Sequence, residues 1–119
     1  MGTSDYMTIF HEHKLWQESY VALMDIHEAL DKVEVEAHDE GIVKELIIVA
    51  QEVAATVADG LTRQDRRVGR DLMTKAVGQV AMTRTHLAVA WGRGLMDDET
   101  FRGLDDKYAN LTSSLQSFR

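Results

Sequence analysis

Four arginines stand close together in the middle of the chain, and their spacing suits the binding of negatively charged groups. They are Arg63, Arg66, Arg67 and Arg70, with Asp65 among them. Guanidinium groups and the free backbone N–H groups of a helix start both bind phosphate. The same arginines could instead pair with carboxylates of this chain or of a second copy, because cations at a helix start oppose the helix dipole. Both interpretations stay open, and Arg84 is a further candidate for contact with nucleic acid.

Histidines raise the question of a metal site. The chain has five: His11, His13, His27, His38 and His86. His11 and His13 flank Glu12 and could chelate a metal ion on a flexible segment. However, the chain contains no H-E-x-x-H motif and no pair of Glu-x-x-His motifs of the kind that di-iron bundles use. We therefore predict no metal site and no bound cofactor.

The residues needed for covalent catalysis form no recognisable motif. The chain has no cysteine, no G-x-S-x-G turn around a nucleophilic serine and no glycine-rich phosphate loop. Its acidic pairs are explained by helix starts and solvated surfaces. We predict no catalytic residues, and we expect that the protein is not an enzyme.

The apolar residues predict four amphipathic helices, because they recur every three or four positions. The expected spans are about 14–33, 39–59, 64–92 and 97–115. Residues 1–12 show no clear period and are predicted to form an N-terminal arm, so the domain covers residues 13–119. Short connections between four such helices favour an all-α, antiparallel up-down-up-down four-helix bundle.

Glycines and acidic residues mark the ends of these helices. Gly60 suits the left-handed position after the second helix, and Gly92 with Gly94 is expected to end the third. Asp97 is predicted to cap the start of the fourth helix.

The second helix is unusually apolar on more than one face. Leu46, Val53 and Val57 lie on one predicted stripe, whereas Ile47 and Ile48 fall outside it. A helix of this kind is buried on more than one side, either by its own bundle or by a neighbouring subunit.

Composition and charge narrow the classes of partner. The chain has 119 residues, of which 45% are hydrophobic, and a net charge of -7, which disfavours unspecific binding to nucleic acid or to anionic membranes. Residues 1–60 carry 13 acidic and 3 basic side chains, whereas residues 61–119 carry 7 acidic and 10 basic ones. No signal peptide and no long apolar segment is evident, so we expect a cytoplasmic protein without a membrane partner.

Three blocks of the chain resemble one family. They are the K-L-W-Q opening at Lys14, the stretch from Gly41-Ile42 to Gly60-Leu61-Thr62-Arg63, and the turn from Gly94 to Phe101. In this order they are similar to the four-helix-bundle proteins encoded in intervening sequences of bacterial 23S rRNA genes, which are related to the accessory variability determinant of diversity-generating retroelements. The resemblance covers about residues 10–118. It implies a closed up-and-down bundle, a cytoplasmic location and ring-shaped pentamers, without catalytic residues.

One departure from that family changes the functional expectation. Its members commonly carry a basic pair where this chain has Ile47 and Ile48. Loss of two cations weakens the nucleic-acid interpretation and favours a protein contact there. We therefore expect a non-catalytic homo-oligomer, a pentameric ring, of unknown biological role, with Ile47, Ile48, Arg63, Arg66, Arg67 and Arg70 at the interface. The alternative is a nucleic-acid or nucleoprotein accessory factor that uses Arg63, Arg66, Arg67, Arg70 and Arg84.

Overall fold

The computed structural model describes residues 9–118, and its regular structure is entirely helical. Helix α1 comprises Ile9–Glu12, α2 Lys14–Asp31, α3 Glu40–Thr62, α4 Arg66–Gly92 and α5 Asp98–Gln116, with a 3-10 turn at Ala37–Asp39 before α3. No strand occurs in this range, so the all-α prediction is confirmed. Of the predicted arm, residues 1–8 lie outside the described range, whereas residues 9–12 form α1 and pack against α2 and α3.

The four long helices pack around a single apolar core. Helix α3 packs against α2 and α4, and α5 packs against α4 and α2. Every long helix contributes side chains that are almost fully buried, among them Ile26, Leu46, Val80, Leu87 and Leu111. Burial of apolar surface at about 25 cal/mol per Å² is the main stabilising contribution in such an arrangement.

Gly60 does not end α3, which corrects the sequence-based expectation. The helix continues to Thr62, and Gly94 is the one residue with a positive φ in the described part of the chain. Gly60 is buried instead against the first turns of α4. Its small size, rather than its backbone freedom, is what this position requires.

Helix α4 ends as the glycine pattern predicts. Gly94 adopts a φ of 77°, and its N–H donates to the Trp91 carbonyl at 2.9 Å. The N–H of Leu95 donates to the Ala90 carbonyl, also at 2.9 Å. This pair of bonds is the Schellman arrangement, which satisfies the last carbonyls of a helix and turns the chain towards α5.

Asp97 caps α5, as predicted. Its Oδ1 accepts the backbone N–H of Thr100 at 2.8 Å, and this bond holds the pKa of the Asp97 carboxyl below its ordinary value. Asp98 and Glu99 occupy the first turn, where negative charge is favourable to the helix dipole.

An ion pair joins the connection before α3 to the connection after α4. The Arg93 guanidinium donates from Nε to Asp39 Oδ1 at 3.1 Å, and the Asp39 side chain is only 9% exposed. A second N–H of Arg93 lies 3.1 Å from His38 Nε2. The two connections are therefore held side by side by polar contacts that sequence patterns do not reveal.

No helix within residues 9–118 combines the length and the hydropathy that crossing a membrane requires.

Candidate interaction surface

The four clustered arginines lie where α3 passes into α4, with Arg63 on the connection and the other three in the first turns of α4. Residues 63–70 are here called the arginine turn. The local sequence explains this placement: Arg63 follows the last residue of α3, and Asp65 caps α4. Oδ1 of Asp65 accepts the backbone N–H groups of Arg67 at 2.8 Å and of Val68 at 3.4 Å. The cap thereby uses the backbone donors that could otherwise have helped to bind an anion.

Three of the four arginines have no carboxylate partner within the described residues. Arg63 is paired, since its Nε donates to Asp59 Oδ1 at 2.8 Å and this bond raises the pKa of Arg63. Arg66, Arg67 and Arg70 are all exposed, and no carboxylate between residues 9 and 118 comes within 4.0 Å of their nitrogens. Three positive charges are thus presented together at one end of α4.

Arg84 does not extend the arginine turn. It lies 14 residues beyond Arg70 on α4, or about 21 Å along the helix. Its guanidinium forms a two-pronged pair with Asp105 of α5, at 2.7 and 2.9 Å, and this pairing raises the pKa of Arg84. Arg84 therefore joins α4 to α5, and its donors are directed within the chain.

The two isoleucines of α3 have different environments. Ile47 is half-buried and packs against the core, whereas Ile48 is 38% exposed. Of the pair, Ile48 is the side chain that a second molecule could cover.

Other exposed apolar side chains were not singled out from the sequence. Helix α2 exposes Tyr20, Val21 and Met24, and α4 exposes Met82 and Val89, each by 43 to 52%. The sequence did contain an indication that α4 has an uncharged outer surface, because Arg84 and His86 are the only charged or titratable residues between Ala76 and Gly92. The exposed positions of that stretch include Ala81, Met82, Thr85, Ala88 and Val89.

Aromatic rings cover the first turns of α2. Trp16 stacks on Tyr20 with ring centroids 4.9 Å apart, and the rings of Phe10 and His11 pack edge-to-face with Trp16, with centroids at 5.8 and 5.0 Å.

His13 caps α2, because its Nδ1 accepts the N–H of Leu15 at 3.1 Å. The first two histidines are thus engaged in packing and capping. No group of three or more metal-ligating side chains was found among the residues that the structure describes.

An open groove of about 630 Å³ lies between the second half of α2 and the start of α5. Four carboxylates line it, and it is here called the acidic groove: Asp25, Glu28, Asp97 and Glu99. Two lysines also line it, and each pairs with one of those carboxylates, Lys32 with Glu28 and Lys107 with Asp25. The floor is apolar, with Ala29 and Leu104 among its residues.

Comparison with known proteins adds no identification. No family model matches the chain, and no curated protein matches it significantly. The resemblance to the proteins of rRNA intervening sequences therefore stays a prediction.

Proposed function

We propose that this protein is a non-catalytic, cytoplasmic assembly protein whose copies associate head to tail into a closed ring. Five subunits are the expected number, as the family resemblance implies. Each subunit is proposed to be an antiparallel up-down-up-down bundle of α2 to α5.

Contacts at both ends of the helices support this topology. Near one end, the ring of His13 at the start of α2 lies 6.4 Å from that of Phe118, just after α5. Near the other, Arg93 after α4 pairs with Asp39 before α3. Such contacts are expected when successive helices alternate in direction.

The observation that carries the proposal is the apolar surface that a single subunit leaves exposed. Besides Ile48, the large side chains of Met82 and Val89 project from an α4 face that has no charge of its own over several turns. Exposed apolar surface of this kind marks sites of association between proteins. Self-association would remove it from water.

The arginine turn favours a contact between two different surfaces of the same protein. Arg66, Arg67 and Arg70 are unpaired within the described chain, while the chain as a whole is acidic. A positive patch on one copy and negative surface on the next make a heterologous contact, and such contacts close into a ring when the rotation between copies permits.

Sedimentation velocity of the full chain tests the proposal. The protein is expected to sediment as an oligomer at about 10 µM, and a Met82→Glu/Val89→Glu variant is expected to shift towards the monomer because charge is placed on the apolar face. Gln17→Glu/Asn110→Asp is the matched control, since both are exposed polar residues on other helices. Equal dissociation of both variants would refute the role of the α4 face.

Binding of nucleic acid is the second candidate, and the three unpaired arginines are the observation that favours it. Binding through them would release counterions from the phosphates, so retention of RNA or DNA would fall steeply with salt. A fluorescence-polarisation titration at low ionic strength tests this function. Absence of binding there rejects it, and the acidic net charge leads us to expect that result.

A further inference from the structure

We infer that the arginine turn of one copy docks into the acidic groove of a second copy. This inference rests on the proposed self-association and specifies the two surfaces that meet. The occupant is a segment of the same chain, residues 63–70, and the receiving surface is the cleft between α2 and α5.

Charge separation along the chain supports this pairing. The acidic groove itself is lined by four carboxylates against two lysines. The arginine turn carries four arginines against one aspartate. Complementary potentials of this kind orient two protein surfaces and favour one pairing over others.

The arginine turn and the acidic groove of one subunit are too far apart to pair with each other. The groove is formed by α2 and α5, whereas the turn joins α3 to α4. The Arg93–Asp39 pair holds the α3 start near the α4 end, and α3 then runs 23 residues, or about 35 Å, before it reaches the turn. That distance is more than four times the screening length of about 8 Å at physiological salt. The carboxylates of the groove can therefore reach the arginine turn only from another molecule.

The composition of the groove suits arginine in particular. Its apolar floor can cover the aliphatic part of an arginine side chain while Glu99 and Glu28 on the rim accept hydrogen bonds from the guanidinium. Gly103, which also lines the groove, leaves its surface open, since no atom lies within 4 Å of the place that a β-carbon would occupy. An apolar floor with a charged rim is the usual anatomy of a protein interface.

Charge reversal on both sides tests the inference. The turn variant is Arg67→Glu/Arg70→Glu, and the groove variant is Glu28→Lys/Glu99→Lys. Each is expected to raise the dissociation constant of self-association by at least about tenfold at low salt, because like charges now face each other. An equimolar mixture is expected to regain association, because the reversed turn of one variant meets the reversed groove of the other, while the two unreversed surfaces also attract each other. The two variants can alternate only in open chains or in assemblies with an even number of subunits, so association is measured rather than closure of a ring of five.

Two controls match the net charge of these variants at exposed sites elsewhere. Lys14→Glu/Lys44→Glu matches the turn variant, and Glu12→Lys/Glu52→Lys matches the groove variant. Both controls should associate like the wild type. Circular dichroism on all four variants would show that their helices are retained.

The outcomes separate the inference from the proposed function. If the wild type is an oligomer but the groove variant associates normally, the inference is wrong while self-association stands. If both variants dissociate and their mixture does not recover, the turn and the groove do not meet each other, and the inference is again wrong. A monomeric wild type would overturn the proposed function itself.

Discussion

Gly60 of α3 and Gly69 of α4 meet so closely that a β-carbon on Gly69 would lie 3.0 Å from the Gly60 carbonyl oxygen. Both residues are buried inside helices. The absence of side chains at these two positions lets the helix backbones approach where the chain reverses direction. The arginine turn is thereby held at a fixed place beside the core.

Gly60→Ala is predicted to destabilise the protein. Its new β-carbon would lie 2.7 Å from the Met73 methyl carbon and 3.2 Å from the Gly69 carbonyl oxygen. Met73 is flexible, but the Gly69 backbone is not, so we expect a loss of about 1–3 kcal/mol in the free energy of unfolding. Urea denaturation measures this loss.

Gly78→Ala is the matched control for that substitution. Gly78 also lies inside a helix, but no atom lies within 4 Å of the place its β-carbon would occupy. Alanine should stabilise α4 there by about 0.5–1 kcal/mol, because it loses less backbone entropy on folding. A stabilising Gly60→Ala would show that the two helices do not approach as described.

Tyr108→Phe is predicted to stabilise the protein or leave it unchanged. The Tyr108 side chain is fully buried in the core, and its hydroxyl has no hydrogen-bond partner within the described residues. Phenylalanine keeps the ring and removes the unpaired group, so a gain of about 1 kcal/mol is expected by thermal or urea denaturation. Tyr20→Phe, at an exposed position, should change stability by less than about 0.5 kcal/mol. A clear loss in Tyr108→Phe would mean that the hydroxyl is satisfied.

Alkaline pH is predicted to weaken the fold through the same residue. Burial raises the pKa of the Tyr108 hydroxyl above its ordinary value. The unfolded chain therefore loses this proton at a lower pH than the folded chain. Loss of the proton favours the unfolded state, so the free energy of unfolding declines above about pH 10. The urea midpoint of the wild type should fall above about pH 10 more steeply than that of Tyr108→Phe. If the urea midpoints of the wild type and Tyr108→Phe fall in parallel with pH, Tyr108 is not the cause of the loss of stability.

Acid is predicted to weaken the cap of α5. The hydrogen bond from the Thr100 N–H lowers the pKa of Asp97 in the folded chain. The ionised Asp97 therefore stabilises the fold above the pKa of an unfolded aspartate, about 3.9, and this stabilisation is lost as the pH falls below that value. Asp97→Ala should lower the urea midpoint near neutral pH and reduce its dependence on pH between about 4 and 2. Asp106→Ala, at an exposed site inside α5, should leave both nearly unchanged. Equal effects of the two substitutions would refute the special role of Asp97.

Local signals predicted much of the fold. The apolar spacing located all four long helices, and the chemistry of Gly94 and Asp97 predicted the turn into α5. The expectation that Gly60 ends α3 was wrong, because a glycine near a helix end can either cap the helix or allow close packing. Only the position of α4 shows that Gly60 does the second. The Arg93–Asp39 pair joins residues 54 apart in sequence and has no local signal.

The candidate site was predictable only in part. The arginine cluster is visible as a run in the sequence, but the lack of carboxylate partners at Arg66, Arg67 and Arg70 depends on how the helices are packed. Ile47 and Ile48 look alike in sequence, yet they point to different surroundings. The acidic groove combines residues of α2 and α5 that are some seventy positions apart, for example Glu28 and Glu99.

The molar mass of the full chain in solution, measured by light scattering during size-exclusion chromatography, tests the central claim most directly. One chain has a mass of 13.4 kDa, so the proposed ring of five predicts about 67 kDa at micromolar concentration. A mass of 13.4 kDa that does not rise with concentration would contradict the account.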